Sequence, residues 1–399
     1  MKIVIVGAGK VGVALTRHLA VENRVTVIDQ NPHLVENIIN IYDVMGVCGN
    51  GASYDVQKEA DVEQADLLIA TTSSDEINIL TCLVAKKMGV QHTIARIRSP
   101  EYGRQLRFMR SELGLSMAIN PEAATAREIA RVLRFPTAMK LESFSKGRLE
   151  LVEYRVAEHT ALDGTRLSEL YRNFKVRVLI CAVARQGETI IPSGDFTLRA
   201  GDKIYLTAAP RELEKFFRLL GVFRARASSV MIVGASKMCY YLASELLEMG
   251  MSVKIIDQNE QRCVEMSEKL PRALVIVGDG TDSELLSEEG ISQTDAFVAI
   301  TGLDEANILM ALSAAKQSGD CCKVVAKINR KSLLELVSTE SLIDSVVSTG
   351  AVTTELILQY IRAMKNASAS KVKTLHRIVD EKVEALEFSV TPDISFAGV

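Results

Sequence analysis

The chain is written twice. The stretch from "KIVIVGAGKVG" near its start to "INPEAATAREIARVLR" recurs in diverged form from "SVMIVGASKMC" to "VVSTGAVTTELILQYIR". The registers agree closely: Gly7 falls on Gly234, Asp29 on Asp257, and Gly49, Gly51, Asp66 and Asp75 on Gly278, Gly280, Asp295 and Asp304. Self-similarity at a fixed period means that one folding unit has been used twice, so whatever the first stretch forms, the second must form too.

Each copy alternates short apolar runs with longer helical patterns. In the first, "KIVIVG" (2–7), "RVTVID" (24–29), "YDVMGVCG" (42–49), "ADLLIATT" (65–72) and "HTIARI" (92–97) read as strands continuous enough to be buried on both faces. The segments between them carry apolar residues at three- and four-residue spacing, as helices do. "SMAINPEAATAREIARVLR" adds a last short strand and a long helix opened by Pro121, whose fixed φ suits a first turn. The pattern predicts a doubly wound parallel sheet, a Rossmann-like α/β fold, in both copies.

Residues from about 137 to 225 have another texture, with short strands in "RLELVEYRV", "RVLICAVAR" and "DKIYLTAA" separated by turn signals. They predict a small α+β domain. Near the end "KVEALEFSV" (382–390) echoes "RLELVEYRV" (148–156), so the sequence is expected to stop one strand into a second, truncated α+β domain. The expected domains are therefore 1–136, 137–225, 226–366 and 367–399.

Composition narrows the class. With 48% apolar and 24% charged residues, the 399-residue chain reads as globular and large enough for several cores. A formal net charge of −3 leaves no basic excess for a broad nucleic-acid surface, so no nucleic-acid partner is expected. The longest interior apolar run, "VLICAVA", is strand length, far short of the roughly 18 residues that cross a bilayer. The N-terminal stretch reaches its glycine turn within seven residues, so no signal peptide and no export are expected. Seven cysteines form no C-x-x-C pair and mostly sit in apolar runs, as reduced buried thiols of a cytosolic protein do.

The glycine turn carries the functional signal. In "GAGKVG" (Gly7, Ala8, Gly9, Lys10, Val11, Gly12) the three glycines follow a strand and open a helix, the context that gives this spacing meaning. Gly7 permits the tight turn, Gly9 lets phosphates approach the backbone, and Gly12 lets the helix pack on the strand. The helix N-terminus then offers free N–H groups to an anion. Asp29 ends the second strand, where its carboxylate reaches a ribose hydroxyl, and the neutral Gln30 beside it favours NAD or an adenine nucleotide over NADP. Lys10 is a phosphate contact or a solvated lysine. Gly49 and Asn50 line an adenine or ribose, or form an ordinary turn. Thr71, Thr72, Ser73 and Asp75 lie at the carboxyl edge of the sheet, where ligands of open α/β sheets bind; the hydroxyls are expected to touch phosphate or ribose, and Asp75 is expected to be a helix N-cap. Arg96 and Arg98 follow the fifth strand as phosphate or surface cations.

The second copy departs from this. It keeps Gly234, Lys237, Asp257, Gly278, Asp279, Gly280 and Thr301, but has Ser236 and Cys239 in place of two glycines, with Met238 between. It is expected either to hold an adenosine ligand through Asp257 or to be a pseudo-site kept for packing.

Chemistry has no visible seat. Hydride transfer needs an acid or base brought to the nicotinamide. His18, His33, His92, His159 and His376 lie in helical patterns or beside strands, and no cluster has metal-ligand spacing. A nucleotide bound without being turned over is a signal, and duplication of its site suits a regulator. The chain is therefore expected not to be an enzyme, with an NAD-dependent oxidoreductase as the alternative.

This order of parts, with "SSDEINIL" (73–80), "GLDEANIL" (302–309) and "IIPSGDFTLRAGDKIYLTA", resembles the TrkA-type regulatory subunits of bacterial and archaeal Trk potassium-uptake systems, built from tandem RCK domains. The resemblance covers essentially the whole chain. It implies a cytosolic homo-oligomer, a dimer or tetrameric ring, peripheral on the inner face of a membrane potassium-translocating subunit of TrkH type. It further implies NAD(H) or ADP/ATP as regulatory ligands, and leaves regulation of another cation transporter as a variant.

Overall fold

The computed structural model describes residues 1–102, 105, 113–134, 140–144, 148–221, 227–318, 322–337, 343–367, 372–378 and 383–388. The first sheet comprises β1 (Lys2–Val6), β2 (Arg24–Asp29), β3 (Met45–Cys48), β4 (Leu67–Ala70), β5 (His92–Arg96) and β6 (Met117–Ile119). All pair in parallel, in the order β3-β2-β1-β4-β5-β6. The order reverses between β1 and β4, the topological switch point at which doubly wound sheets bind ligands. Helices α1 (Lys10–Leu19), α2 (Pro32–Ile41), α3 (Tyr54–Glu59) and α4 (Asp75–Lys87) make the crossovers, and α5 (Pro121–Arg134) follows β6. Ile3, Ile5, Leu67, Leu68 and Ile69 are fully buried, as continuous apolar strands between two helix layers must be.

The small domain is an antiparallel sheet of β7 (Lys140–Phe144), β8 (Leu149–Arg155), β9 (Leu179–Arg185), β10 (Glu188–Ile190) and β11 (Lys203–Ala208), ordered β10-β9-β11-β8-β7. Helices α6 (Leu170–Phe174) and α7 (Pro210–Leu219) cover one face, where Phe174, Phe216 and Phe217 pack on Val152, Tyr154 and Ile204. Arg185 and the buried Asp202, with two contacts of 2.7 Å, tie the turn before β11 to β9.

The second sheet repeats the first. Its strands β12 (Ser229–Val233), β13 (Ser252–Asp257), β14 (Leu274–Val277), β15 (Ala296–Ala299), β16 (Lys323–Lys327) and β17 (Ser345–Val347) lie in the order β14-β13-β12-β15-β16-β17. The helices are α8 (Lys237–Glu248), α9 (Glu260–Lys269), α10 (Ser283–Glu288), α11 (Asp304–Ser318), α12 (Lys331–Val337) and α13 (Thr349–Ala367). A hairpin of β18 (Val372–Ile378) and β19 (Val383–Phe388) follows. Val383 and Ala385 pack on Leu151, Ala182 and Tyr205, on the small sheet's face away from its helices. The expected strand at 382–390 is thus present as β19, and its last residues lie outside the described ones.

The two copies are not side by side as independent bodies, because each gives the other its last helix. Ala126, Ile129, Ala130, Val132 and Leu133 of α5 belong to a core with Leu242, Ala243 and Leu246 of α8 and Val230 and Ile232 of β12. Reciprocally, Ile357 and Ile361 of α13 join Val11, Leu15 and Leu19 of α1. His92 Nδ1 and Tyr360 Oη, 3.2 Å apart, add a polar tie on that side. The sequence places α5 with the first sheet; in space its apolar face completes the second.

Candidate functional site

The first turn is closed by glycine alone. Gly7 sits at φ +105°, and a Cβ there would meet the Thr71 and Thr72 backbone at 2.9 Å. A Cβ on Gly12 would stand 1.8 Å from the Gly7 carbonyl oxygen, so the helix can approach the strand only without a side chain. Gly9 differs: a Cβ there would meet nothing within 4 Å. Its residue type is not required by packing, and the space above it is open to a ligand. As the N-cap of α1, Gly9 supplies no side-chain acceptor, which leaves the first N–H groups of the helix uncapped beside exposed Lys10.

Asp29 stands at the mouth of this turn. Its Oδ2 accepts from Ala8 N at 2.6 Å and its Oδ1 from Asn31 N at 2.9 Å. Each carboxylate oxygen retains a lone pair for a ribose hydroxyl. Gln30 is exposed, and its carbonyl accepts from Cys48 Sγ. Gly49 and Gly51 are explained by packing, since a Cβ would strike Val56 at 2.7 Å or Val6 at 2.1 Å. Asn50 closes the turn between them by accepting from Ala52 N.

The loop after β4 is built for rigidity. Thr71 is buried and its hydroxyl donates to the carbonyls of Val6 and Gly7, so it faces the sheet. Thr72 is held by Asn78, whose Oδ1 accepts from Thr72 N (2.8 Å) and Thr72 Oγ1 (2.7 Å) while its Nδ2 donates to Thr72 O and Arg96 O. Ser73 is exposed and its carbonyl accepts from Arg98 Nη2 at 3.0 Å. Asp75 is not the N-cap. Ser74 caps α4 by accepting from Ile77 N, while Asp75 Oδ2 accepts from Arg98 N and Ser99 N at 2.9 and 2.8 Å. Glu76 takes Ser74 Oγ and Tyr102 Oη, bonds that hold its carboxyl down to about 2.

Asn78 went unassigned in the sequence, although the same residue recurs as Asn307 in "DEANIL" and makes the same bonds to Thr301 and Lys327 O. Recurrence of a buried amide in both copies was the available signal. Asn78→Ala strands several buried backbone groups at once, and a loss of about 1–3 kcal/mol is expected in urea unfolding. An unchanged midpoint would remove this role.

The second turn keeps the frame and loses the opening. Asp257 repeats Asp29, accepting from Ala235 N and Asn259 N at 2.7 and 2.8 Å. Gly234 sits at φ +112° against Thr301 and Ile300. Ser236, however, caps α8 through Cys239 N, so a hydroxyl occupies the helix start that the first copy leaves bare. Cys239 is buried where Gly12 would admit no Cβ, which requires the second turn to be spaced differently; Ser236 N donates to Gly234 O. Met238 is buried and Lys237 exposed. Gly278 and Gly280 are again packing glycines, against Leu285 and Val233, and Asp279 is held by Thr281 N and Oγ1.

The two copies meet across the exchanged helices beside Arg98. Asn120 Nδ2 donates to Tyr241 Oη at 2.8 Å, and that hydroxyl donates to Arg98 O at 3.1 Å. Among the described residues no group of His, Cys, Asp or Glu is placed to hold a metal ion, and no helix is long and apolar enough to cross a membrane.

A family model described as the TrkA-N domain matches residues 3–121 and again 230–349, and one described as the TrkA-C domain matches 151–221. The chain belongs to the TrkA family. The Trk system potassium uptake protein TrkA of Vibrio alginolyticus is 34% identical over 391 residues, covering 97% of this chain and 84% of its own. Among solved structures, the GsuK channel bound to NAD superposes with a TM-score of 0.69 at 21% identity, covering 94% of this chain and 66% of its own. GsuK bound to ADP gives 0.59 at 16%, covering 91% and 69%. At these identities the structural likeness speaks for the tandem RCK fold alone.

Proposed function

We propose that this TrkA-family chain is a nucleotide-sensing regulatory subunit of a membrane potassium-transport system, acting from the cytoplasmic face on a TrkH-type translocating partner. The observation that carries the reading is the first turn: glycine-closed, open above Gly9, uncapped at its helix, and faced by the Asp29 carboxylate. NAD(H) or ADP/ATP fits it, with phosphate over Gly9 and Lys10, ribose on Asp29, and the 72–75 loop and Arg98 beyond. The domain division follows the repeats, with the helix exchange joining 1–136 to 226–366 as one mechanical unit. The related Vibrio protein is named for potassium uptake, and the GsuK structures were solved with NAD and with ADP, which supports the ligand class.

A ligand shifts a conformational equilibrium only by its differential affinity for the two states. Since the helix that opens each turn packs against a helix supplied by the other copy, a ligand that tightens the first turn acts on the angle between the sheets. In the oligomer that angle is the quantity exported to the partner. The second copy is the weaker site: its carboxylate is in place while its helix start is taken by Ser236.

Calorimetric titration tests this. Asp29→Ala is expected to weaken NAD and ADP binding by about tenfold or more, the scale of a lost charge-assisted hydrogen bond. Asp257→Ala is expected to leave that binding event intact. Equal affinity in the Asp29 variant overturns the site, and steady turnover of the cofactor overturns the regulatory reading.

A further inference from the structure

Gln57 of α3 and Thr81 of α4 are polar side chains with no exposed surface, packed beneath the turn that follows β3. The Gln57 amide works as a clamp. Its Nε2 donates to Gly51 O at 2.7 Å and to Thr81 O at 3.0 Å, and two carbonyls on one side fix which end of the amide faces them. Gln57 Oε1 and Thr81 Oγ1 are buried with no hydrogen-bond partner among the described residues. A buried polar atom without a partner lowers stability, so two of them side by side in a core need an explanation.

The second copy supplies the comparison. In the register that carries Gly51 to Gly280 and Asp75 to Asp304, Gln57 falls on Leu286 and Thr81 on Met310, both buried and both apolar. Met310 Sδ lies under the turn there, 3.2 Å from where a Cβ on Gly280 would stand, and neither a thioether nor an isobutyl group donates a hydrogen bond. The fold closes with an apolar pair at these two positions. The polar pair of the first copy therefore answers to something other than packing.

The clamped turn lies where a nucleotide at the first turn would end. Strands β1, β2 and β3 are neighbours, with the glycine turn after β1, Asp29 closing β2 and residues 49–52 following β3. Gly49 N donates to Asp29 O at 2.9 Å, so the turn adjoins the residue that faces the ribose. A nucleotide with phosphate over Gly9 and ribose on Asp29 crosses the strand ends in that order and brings its base to 49–52. The turn's internal bonds are alike in the two copies: Asn50 takes Ala52 N and Ser53 N, as Asp279 takes Thr281 N and Asp282 N. What the first copy adds is the tie from Gly51 through Gln57 to α4.

We propose that Gln57 is a positioning residue of the first site, fastening the 49–52 turn to α4 as a fixed wall for the base, and that the second copy, with Leu286, lacks this support. This rests on the reading of the first turn as a nucleotide site. A wall held in place before the ligand arrives does not have to be ordered on binding, so the tie adds to affinity. The two unpartnered oxygens are the stability given up for it.

One test needs no variant. In the unliganded full chain, hydrogen-exchange protection factors at Ala52 and Ser53 are expected to exceed those at Thr281 and Asp282 about fivefold, the scale of one net hydrogen bond; equal protection overturns the tie. The second gives the first copy its twin's residues. In calorimetric titration, Gln57→Leu with Thr81→Met is expected to weaken adenosine and ADP alike by about fivefold and to leave pyrophosphate, measured as a competitor of ADP, unchanged. Its urea midpoint is expected to stay level or rise, because both orphaned oxygens are gone. Unchanged adenosine affinity overturns the proposal, and so does an equal loss for adenosine, ADP and pyrophosphate, which is general loosening. Asp29→Ala separates the two readings: if it weakens adenosine and the double variant does not, this proposal alone fails, and if it leaves adenosine bound as before, the nucleotide reading fails and this one with it.

Discussion

Gly12→Ala is expected to unfold the first sheet domain, while Gly9→Ala leaves it standing and weakens the nucleotide binding proposed for it. The two glycines lie three residues apart in one fingerprint, yet their surroundings differ completely. At Gly12 the added carbon would stand 1.8 Å from a backbone oxygen, and the oxygen's own residue, Gly7, is wedged at φ +105° against the backbone of Thr71 and Thr72. No side-chain rotation relieves a clash between main-chain groups, so the helix must lift off the sheet. Overpacking of this kind costs about 1–3 kcal/mol when neighbours can shift and more when they cannot. The expected outcome is a loss of about 3 kcal/mol or more in urea unfolding. At Gly9 the backbone lies at φ −74°, open to any residue, and the methyl meets nothing. Its melting temperature is expected to change little, and its affinity for ADP to fall at least tenfold because the methyl stands where the phosphate approaches. A Gly9→Ala protein that binds ADP normally would place the ligand elsewhere.

Ile129→Ala is expected to destabilise the second sheet domain although its codon lies in the first copy. Ile129 is fully buried among Leu242, Leu246 and Ile232, and truncating such a side chain costs about 2–5 kcal/mol through lost transfer energy and the cavity left behind. Hydrogen exchange locates the damage. Protection is expected to fall in β12 and β15, at 229–233 and 296–299, before it falls in β1 and β4. Ile361→Ala is expected to do the reverse, since Ile361 packs with Leu15 and Leu19. If each variant weakened its own copy, the exchange of helices would be wrong. The same geometry means that the two halves expressed apart would each bare an apolar helix face.

Much of the candidate site's geometry is legible in the sequence because its constraints are local. A strand, three glycines and a helix need only neighbouring residues to form, so "GAGKVG" and Asp29 could be placed from the string alone, and the structure sets Asp29 within 2.6 Å of Ala8 N. Other residues lie on the expected loop but make different bonds from those expected. Thr71 turns its hydroxyl into the sheet, and Asp75 binds the 98–99 backbone while Ser74 does the capping. A carboxylate beside a helix start looks the same in sequence whether it caps its own helix or the next loop. Gly49 and Gly51 likewise carry no label saying that Val56 and Val6 fill the space a side chain would need.

The sequence by itself determined the doubling, the parallel sheets, the glycine turn and the loss of two of its glycines in the second copy, because periodicity and turn chemistry are properties of short segments. Only the tertiary structure decided which sheet each last helix covers. The apolar face of Ala126, Ile129, Ala130 and Leu133 states that it must be buried and not by what, and two sheets of one design offer it nearly the same surface. Everything that depends on that choice was closed to sequence reading: the meeting of Tyr241 with Asn120 and Arg98, and the placing of Glu122 between two arginines at the seam of the two copies.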